Sequence, residues 1–456
     1  MSRAFARGSA VMDRTEETIA AQASAPGVGG IGIVRVSGPQ VGEISRALLG
    51  KLPDPRFATT RILKDANGCP IDQAVAVFFQ GPHSYTGQDT LELHCHGSPI
   101  VLDQVLERLL DLGVRLAKPG EFTERAFLNG RMDLAQAEAV ADLINSQTQA
   151  AARSAFRSLS GEFSKEIENL RADIEDVRVL IEANIDFSDE PVDVVSPDEI
   201  ADRLGRISGR LGAILDRSRP GALLARGAKV VIAGLPNAGK SSLLNALAGA
   251  DKAIVSATPG TTRDLIEVTL DIGGLPVHMV DTAGLRATAD EIEAEGVRRA
   301  NDAIADADLV LVVLDDSDSE SHREVLVDQD KAAHKKILVF NKADLTGRAI
   351  GVIDGSQPLS IAVSVRDVAG LDLIATAIRS ELGFADEEQS VFMARRRHLD
   401  SLERTLVCVD NAAGVSAIEL AAEELRLAHA ALGEITGAFS SEDLLGEIFS
   451  SFCIGK

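Results

Sequence analysis

The sequence predicts a multidomain fold of α/β plus α type. A small N-terminal α/β domain comes first, and a phosphate-loop α/β domain is inserted into a helical bundle split in the sequence. Three observations lead there. Gly234-Leu235-Pro236-Asn237-Ala238-Gly239-Lys240-Ser241-Ser242 matches the phosphate-cradling pattern G-x-x-x-x-G-K-[ST], with a strand-like run before it and a helix-like run after it. Residues 132–222 and 391–450 read as helical, and neither stretch has the apolar surface to close its own core. Residues 13–131 alternate strand and helix patterns. The expected boundaries are 13–131, 132–222, 223–385 and 386–456.

In the first domain, Ile31–Val36 and Ala74–Phe79 read as strands, and Val41–Leu49 and Ile100–Leu112 as helices. Spacing alone assigns it no function. His94-Cys95-His96 invites a metal reading, but on a strand the histidines face one way and the cysteine the other, and no further ligand cluster follows. Residues 1–12 lack acids and carry two arginines; an alternative start at Met12 explains them better than a transit peptide. In the helical stretches, Leu134–Val140 opens an amphipathic pattern, which Ile167, Leu170, Ile174, Val177 and Ile181 continue. Ala421, Leu425, Ala428, Leu432 and Ile435 form a second stripe. Insertion into one bundle is feasible because domain termini often lie close together. Gly221–Gly227 and Ala385–Gln389 read as the two hinges.

The inserted unit runs from about Ala228 to Leu382 as alternating strands and helices, with a hairpin at Gly273-Gly274. A mostly parallel sheet with one antiparallel edge follows. Loop glycines turn backbone N–H groups toward phosphates; Lys240 reaches the β/γ-phosphates and Ser241 ligates Mg²⁺. Asn341-Lys342-Ala343-Asp344 follows an apolar strand. The Asp344 carboxylate can accept from guanine N1–H and N2–H₂, a donor pair that adenine lacks. Asp281-Thr282-Ala283-Gly284 also follows a strand: Asp281 can hold Mg²⁺ through water, and the Gly284 N–H can meet the γ-phosphate. In Gly260-Thr261-Thr262-Arg263-Asp264, Thr262 is the second Mg²⁺ hydroxyl, and Ser364-Val365 would back the base. Four short motifs in this order at strand ends predict a Ras-like P-loop GTPase domain.

Ras-type enzymes orient the attacking water with a glutamine just after this aspartate motif; here the position is Leu285. Asp290, Glu291, Glu293 and Glu295 are the nearby acids, otherwise read as a solvated helix face. No arginine finger is evident, since Arg263 and Arg286 read as surface or switch residues. Asn237, with Ser256, the Thr258 backbone and Thr261, could hold a monovalent cation such as K⁺ that neutralises the charge an arginine otherwise meets. Loop-shape preference is the other reading of Asn237.

With 456 residues, the chain is long enough for about three domains. A net charge of −23 argues against a general nucleic-acid coat and leaves room for a local basic patch. The one dense basic run, Arg395-Arg396-Arg397-His398, suits nucleic-acid phosphates or, alternatively, a solvated helix face or an interdomain pairing site. Cys69, Cys95, Cys408 and Cys453 show no paired spacing, which fits a reducing, cytoplasmic setting. No apolar run approaches the roughly 20 residues of a membrane span.

The three-part order, the Pro236–Ser241 loop, the Gly260–Asp264 switch and the ending Phe452-Cys453-Ile454-Gly455-Lys456 together resemble the MnmE (TrmE) family of tRNA-modification GTPases, from about residue 17 onward. The resemblance implies a homodimer that works with the FAD-dependent protein MnmG as a heterotetramer. Together they add an aminomethyl or carboxymethylaminomethyl group at C5 of the tRNA wobble uridine. It implies 5-formyltetrahydrofolate or a related derivative bound in an N-terminal domain that also dimerises, and GTP hydrolysis stimulated when K⁺-bound GTPase domains pair. Folate contacts fall on Arg35, Glu92, Arg131 and Lys456, with Arg131 standing where the family often has lysine. Potassium ligands fall on Asn237, Ser256, Thr258 and Thr261, and the water-orienting glutamate on Glu293. Cys453 has three readings: a prenylation site, which Gly455 and Lys456 disfavour; a reactive thiolate in uridine or folate chemistry; or a packed tail thiol. A switch-type GTPase in ribosome assembly, without substrate chemistry, is the rival reading.

Overall fold

Strand periodicity organises the first part of the computed structural model, which describes residues 16–186, 196–250, 252–253, 267–281, 302–318, 335–353, 355–384, 391–415, 417–438 and 442–455. The chain forms two units: residues 1–141 with 433–456, and residues 142–432.

The first unit holds β1 (Ile19–Gln22), β2 (Gly29–Ser37), α1 (Val41–Leu49), β3 (Thr59–Lys64), β4 (Pro70–Phe79), β5 (Thr90–Gly97), α2 (Pro99–Asp111), β6 (Arg115–Leu116), α3 (Glu121–Leu128) and α4 (Leu134–Asn145), the last of which runs to the boundary between units. Its six-stranded sheet has the order β3-β4-β5-β2-β1-β6. Val34, Val36, Ala74, Ala76, Leu91 and Leu93 pack against Ile44, Leu48, Leu102 and Val105 of α1 and α2. Side chains alternate along a strand, so Arg35, Glu92 and His94 stand on the opposite face. The segment from Leu444 to Phe452 returns to this unit, where Phe449 and Phe452 join Leu134 and Ala137 in one buried cluster.

The second unit opens with α5 (Gln149–Leu159), α6 (Glu162–Asp186) and α7 (Pro197–Arg226). Ile167, Leu170, Ile174, Val177 and Ile181 of α6 are all buried, as helical spacing predicts. There follow β7 (Ala228–Ala233), α8 (Lys240–Ala250), β8 (Lys252–Ala253), β9 (Glu267–Ile272), β10 (Leu275–Asp281), β11 (Leu309–Asp315), β12 (Lys335–Asn341), α9 (Ala343–Thr346), β13 (Gly351–Val352), β14 (Leu359–Ala362), α10 (Leu371–Glu381), α11 (Arg396–Gly414) and α12 (Ile418–Thr436), whose last residues from Gly433 onward are counted with the first unit. Beyond it, α13 (Glu442–Ser450) belongs to the first unit. The eight-stranded sheet has the order β13-β14-β12-β11-β7-β10-β9-β8. Its centre is parallel. It is antiparallel at β9 and β8 on one side and at β13 on the other, so a second antiparallel edge joins the single one expected. Two residues are too few for β13 to show any alternation in sequence.

One expected hinge is corrected. Residues 221–226 are the end of α7, and Gly227 alone (φ 78°) separates that helix from β7. Pro220 lies inside the helix, lacks an N–H and disturbs the turn before it. The Phe392 N–H donates to the Arg217 carbonyl there at 3.3 Å. A Cβ on Gly221 would lie 1.6 Å from the Phe392 carbonyl oxygen, so this glycine serves close approach rather than bending. The other expected hinge, 385–389, lies outside the described residues.

Three further glycines of α7 behave differently. At Gly205, Gly209 and Gly212 nothing lies within 4 Å of where a Cβ would stand. Glycine within a helix costs about 0.5–1 kcal/mol relative to alanine. The triple alanine variant is expected to gain about 1.5–3 kcal/mol in urea denaturation followed by circular dichroism. A loss of stability would show that these positions are crowded.

Candidate nucleotide site and the N-terminal sheet face

The phosphate loop leaves the C-terminal end of β7, where parallel α/β sheets place their ligands. Its conformation needs the residues it has. Gly234 has φ 140°, and a Cβ there would stand 2.2 Å from the Val313 carbonyl oxygen. Gly239 has φ 99°, and a Cβ would stand 2.3 Å from Asn341 Nδ2. Asn237 takes φ 63°, a left-handed position that asparagine tolerates. Lys240 is buried, with Nζ donating to the carbonyls of Gly234 (3.0 Å) and Leu235 (2.8 Å). Ser241 Oγ donates to Asp281 Oδ2 at 2.6 Å, which brings an expected Mg²⁺ ligand beside the carboxylate expected to hold the ion through water. A hydroxyl beside a carboxylate is a hard-oxygen pair that fits Mg²⁺. Ala238, within the loop, is buried, and Ser242 is exposed on α8.

Asn341 joins the two halves of the site. Its Nδ2 donates to the Ala238 carbonyl at 3.0 Å, and its Oδ1 accepts from the Val365 N–H at 3.2 Å. Lys342 sits at φ 66° with Nζ 2.6 Å from Asp315 Oδ2. Burial would raise the Asp315 carboxyl, but the Lys342 ammonium and the Ser317 donors outweigh it and hold it below its ordinary value. Asp344 is exposed and accepts from the buried Ser364 hydroxyl at 2.9 Å, which aims the carboxylate. Ser256, Thr258, Thr261, Thr262, Thr282, Ala283, Gly284, Glu293 and Lys456 lie outside the described residues.

On the N-terminal sheet, Arg35 and Glu92 are register partners, with Nε donating to Oε1 at 3.0 Å. The Arg35 guanidinium also donates to the Gly455 carbonyl at 3.3 Å and stands 5.2 Å from the Tyr85 ring centre and 5.7 Å from that of Phe122. Sequence reasoning missed both rings, because they are distant in the chain and belong to no motif. Tyr85 Oη pairs with Thr123 Oγ1 at 2.8 Å; burial raises this phenol's pKa despite that bond and the nearby Arg35. The tail is seated closely. Gly455 has φ 96°, a Cβ on it would lie 2.1 Å from the Gln22 carbonyl oxygen, and the Gly120 N–H donates to the Cys453 carbonyl at 3.4 Å. The Cys453 thiol is exposed. Arg131 is exposed too, its chain lying along Gly87, two residues from Tyr85.

The metal reading of 94–96 finds no support in the geometry. Cys95 is in the core, and burial, then Asp72, pushes its thiol up to about 12. His94 Nε2 lies 3.5 Å from Glu92 on the other face, and His96 Nδ1 lies 2.7 Å from Asp72. Among the described residues no cluster of histidine, cysteine and carboxylate side chains suits a metal ion. The basic run is partly spent inside the fold. Arg395 pairs with Asp142 at 2.7 Å; His398 is buried 5.4 Å from the Phe163 ring, and its Nδ1 accepts from the Arg395 N–H. Arg396 is exposed. Among the described residues no helix is long and apolar enough to cross a membrane.

Comparison with known proteins agrees with this geometry. Residues 18–131 match the family model described as the GTP-binding protein TrmE N-terminus, and residues 134–453 match that of the MnmE helical domain. The tRNA modification GTPase MnmE of Methylococcus capsulatus is 50% identical over 96% of this chain and 99% of its own length. That of Nitrosococcus oceani is 48% identical over 97% and 98%, and that of Vibrio vulnificus strain CMCP6 is 47% identical over 97% and 100%.

Proposed function

The chain belongs to the MnmE (TrmE) family of tRNA modification GTPases, and on that premise we propose that it is the GTP-hydrolysing component of a wobble-uridine modification complex. In that complex it acts as a homodimer with the FAD-dependent MnmG, in the cytoplasm, and contributes to aminomethyl or carboxymethylaminomethyl addition at C5. The observation that carries the GTPase part is the Asn341 brace, which holds the phosphate loop and the base loop in one frame.

In this reading Asp344 takes the guanine edge and Lys240 exchanges its loop carbonyls for phosphate oxygens. Ser241 and Thr262 ligate Mg²⁺, with Asp281 in the shell beyond. A bound K⁺ would supply charge neutralisation at the phosphates; Asn237, Ser256, Thr258 and Thr261 would hold it, and Glu293 would orient water. A reduced folate would supply the one-carbon unit. Arg35, Arg131 and Lys456 suit its anionic tail, and Glu92 suits the donors of its pterin. The seating of Gly455 on Arg35 supports a tail near that site, with Cys453 beside it.

Two measurements test this. GTP turnover is expected to be at least about 10-fold faster in KCl than in NaCl, and Glu293→Ala to abolish it while GTP still binds. Equal rates in the two salts would remove the cation. Mass analysis of tRNA nucleosides from a deletion strain should show unmodified wobble uridine, restored by this chain. Intact modification in the deletion strain would favour the ribosome-assembly reading.

A further inference from the structure

We propose that strand β10 is the mechanical output of the GTP site, with Thr148 and His278 as the residues that pass its position to the helices. The proposal rests on hydrolysis gating a step elsewhere, and not on which uridine product is made.

One end of β10 is chemical. Asp281, its last residue, accepts from Ser241 at the head of the phosphate-loop helix. Seven residue steps back, roughly 23 Å at strand rise, Gly274 of the Gly273-Gly274 turn is fastened to α5. The turn is shaped by Asp271, whose carboxylate accepts from the Gly274 N–H at 2.7 Å. The Gly274 carbonyl accepts from Thr148 Oγ1 at 2.7 Å, and a Cβ on Gly274 would stand 3.0 Å from the Ala150 methyl. Thr148 is also the N-cap of α5, its oxygen accepting from the Ala151 N–H at 3.2 Å. A single hydroxyl therefore caps the helix and holds the hairpin.

A second fastening lies midway. His278 Nδ1 faces Thr269 Oγ1 on β9 at 3.0 Å, and its Nε2 faces the Arg226 carbonyl, in the last turn of α7, at 3.2 Å. The ring rests on Gly227, where a Cβ would stand 2.2 Å from Nε2. Leu270, Ile272, Leu275 and Val277 share one buried cluster with Ala151, Ala155 and Leu224. From α5 the connection continues outward. Ser154 and Ser158 donate to the Val391 and Met393 carbonyls at 3.0 and 3.4 Å, in the extended segment that leads into α11.

Both neighbours of β10 hold it along its length, β7 in parallel and β9 antiparallel. Such a strand shifts as a body rather than bending locally. A displacement of Asp281 when phosphate and metal arrive must appear at Gly274 and His278, because packed interfaces switch rather than stretch.

The test is hydrogen exchange of the full-length protein in KCl, with GDP or with GDP and aluminium fluoride, read in peptides covering Gln149–Leu159. The two states are expected to differ at least about 5-fold in wild type. Thr148→Val should abolish the difference, Thr148→Ser should retain it, and His278→Ala should reduce it, with nucleotide affinity within about 2-fold throughout. Loss of the cap speeds exchange in both states, so the difference is scored rather than the level. No difference in wild type, or a full difference in Thr148→Val, overturns the proposal; if that variant does not fold, a full difference in His278→Ala does so. Failure of this chain to restore tRNA modification would sink the proposed function and leave the exchange result standing.

Discussion

Asp344→Asn is expected to weaken GTP binding at least about 100-fold and to improve binding of xanthosine triphosphate. In the proposed site two charge-assisted hydrogen bonds to guanine would be at stake, each worth about 1.5–3 kcal/mol. An asparagine presents one acceptor and one donor, and the donor suits the extra carbonyl of xanthine. The loop itself should survive the change, because Asn341 and Lys342 hold it independently and an amide oxygen can still accept from Ser364. Titration with fluorescent GTP and xanthosine triphosphate analogues checks this. Unchanged GTP affinity would show that another group reads the base.

Glu121→Ala is expected to destabilise the first unit by about 3–5 kcal/mol, the usual result of stranding a buried charge. The charge stranded is Arg125, whose side chain is 2% exposed against 6% for Glu121. The Glu121 carboxylate takes the Arg115 fork at 2.7 and 3.0 Å, the Lys118 N–H at 2.8 Å and Arg125 at 2.9 Å. Arg125 also reaches the Glu17 carbonyl and Gln88 Oε1. Calorimetry should show the corresponding transition about 10 °C lower; a fall under about 2 °C would mean water replaces the carboxylate. The same group predicts a pH effect. Burial raises the Glu121 carboxyl, but Arg115, the Lys118 N–H and Arg125 together bring it below its ordinary value. Its stabilising contribution is thus complete above the unfolded value of about 4.3 and is lost as pH falls through the lower folded value. Glu121→Gln should flatten the acid limb of the stability curve.

How much could be read in advance follows from how local each feature is. The phosphate loop is built from consecutive residues, so its pattern is visible without a fold. The α6 stripe and α1 were equally plain, since helical periodicity repeats within a few turns. By contrast β1 and β6 have four and two residues, too few to establish alternation. Glu121 and Arg125 stand at i,i+4 spacing, which is common on exposed helix faces; nothing local marks them as buried, because only tertiary packing buries them. The Arg35 surroundings involve partners 57 and 420 positions away. Gly221 misled because a hinge glycine and a close-approach glycine look alike until Phe392 is in place.

The joint at Gly227 has a practical consequence for chimeras. One residue links α7 to β7, and Arg226 is held by Asp308 at 2.5 Å, the same carboxylate that accepts from the Lys229 N–H at 2.9 Å. Each residue added to a helix turns its end by about 100° and advances it about 1.5 Å. A foreign nucleotide-binding module spliced here must therefore match the helix in rotational phase, and a soft spacer cannot substitute. A graft out of phase by a single residue would still bind its nucleotide but would lose the His278 register with the joint.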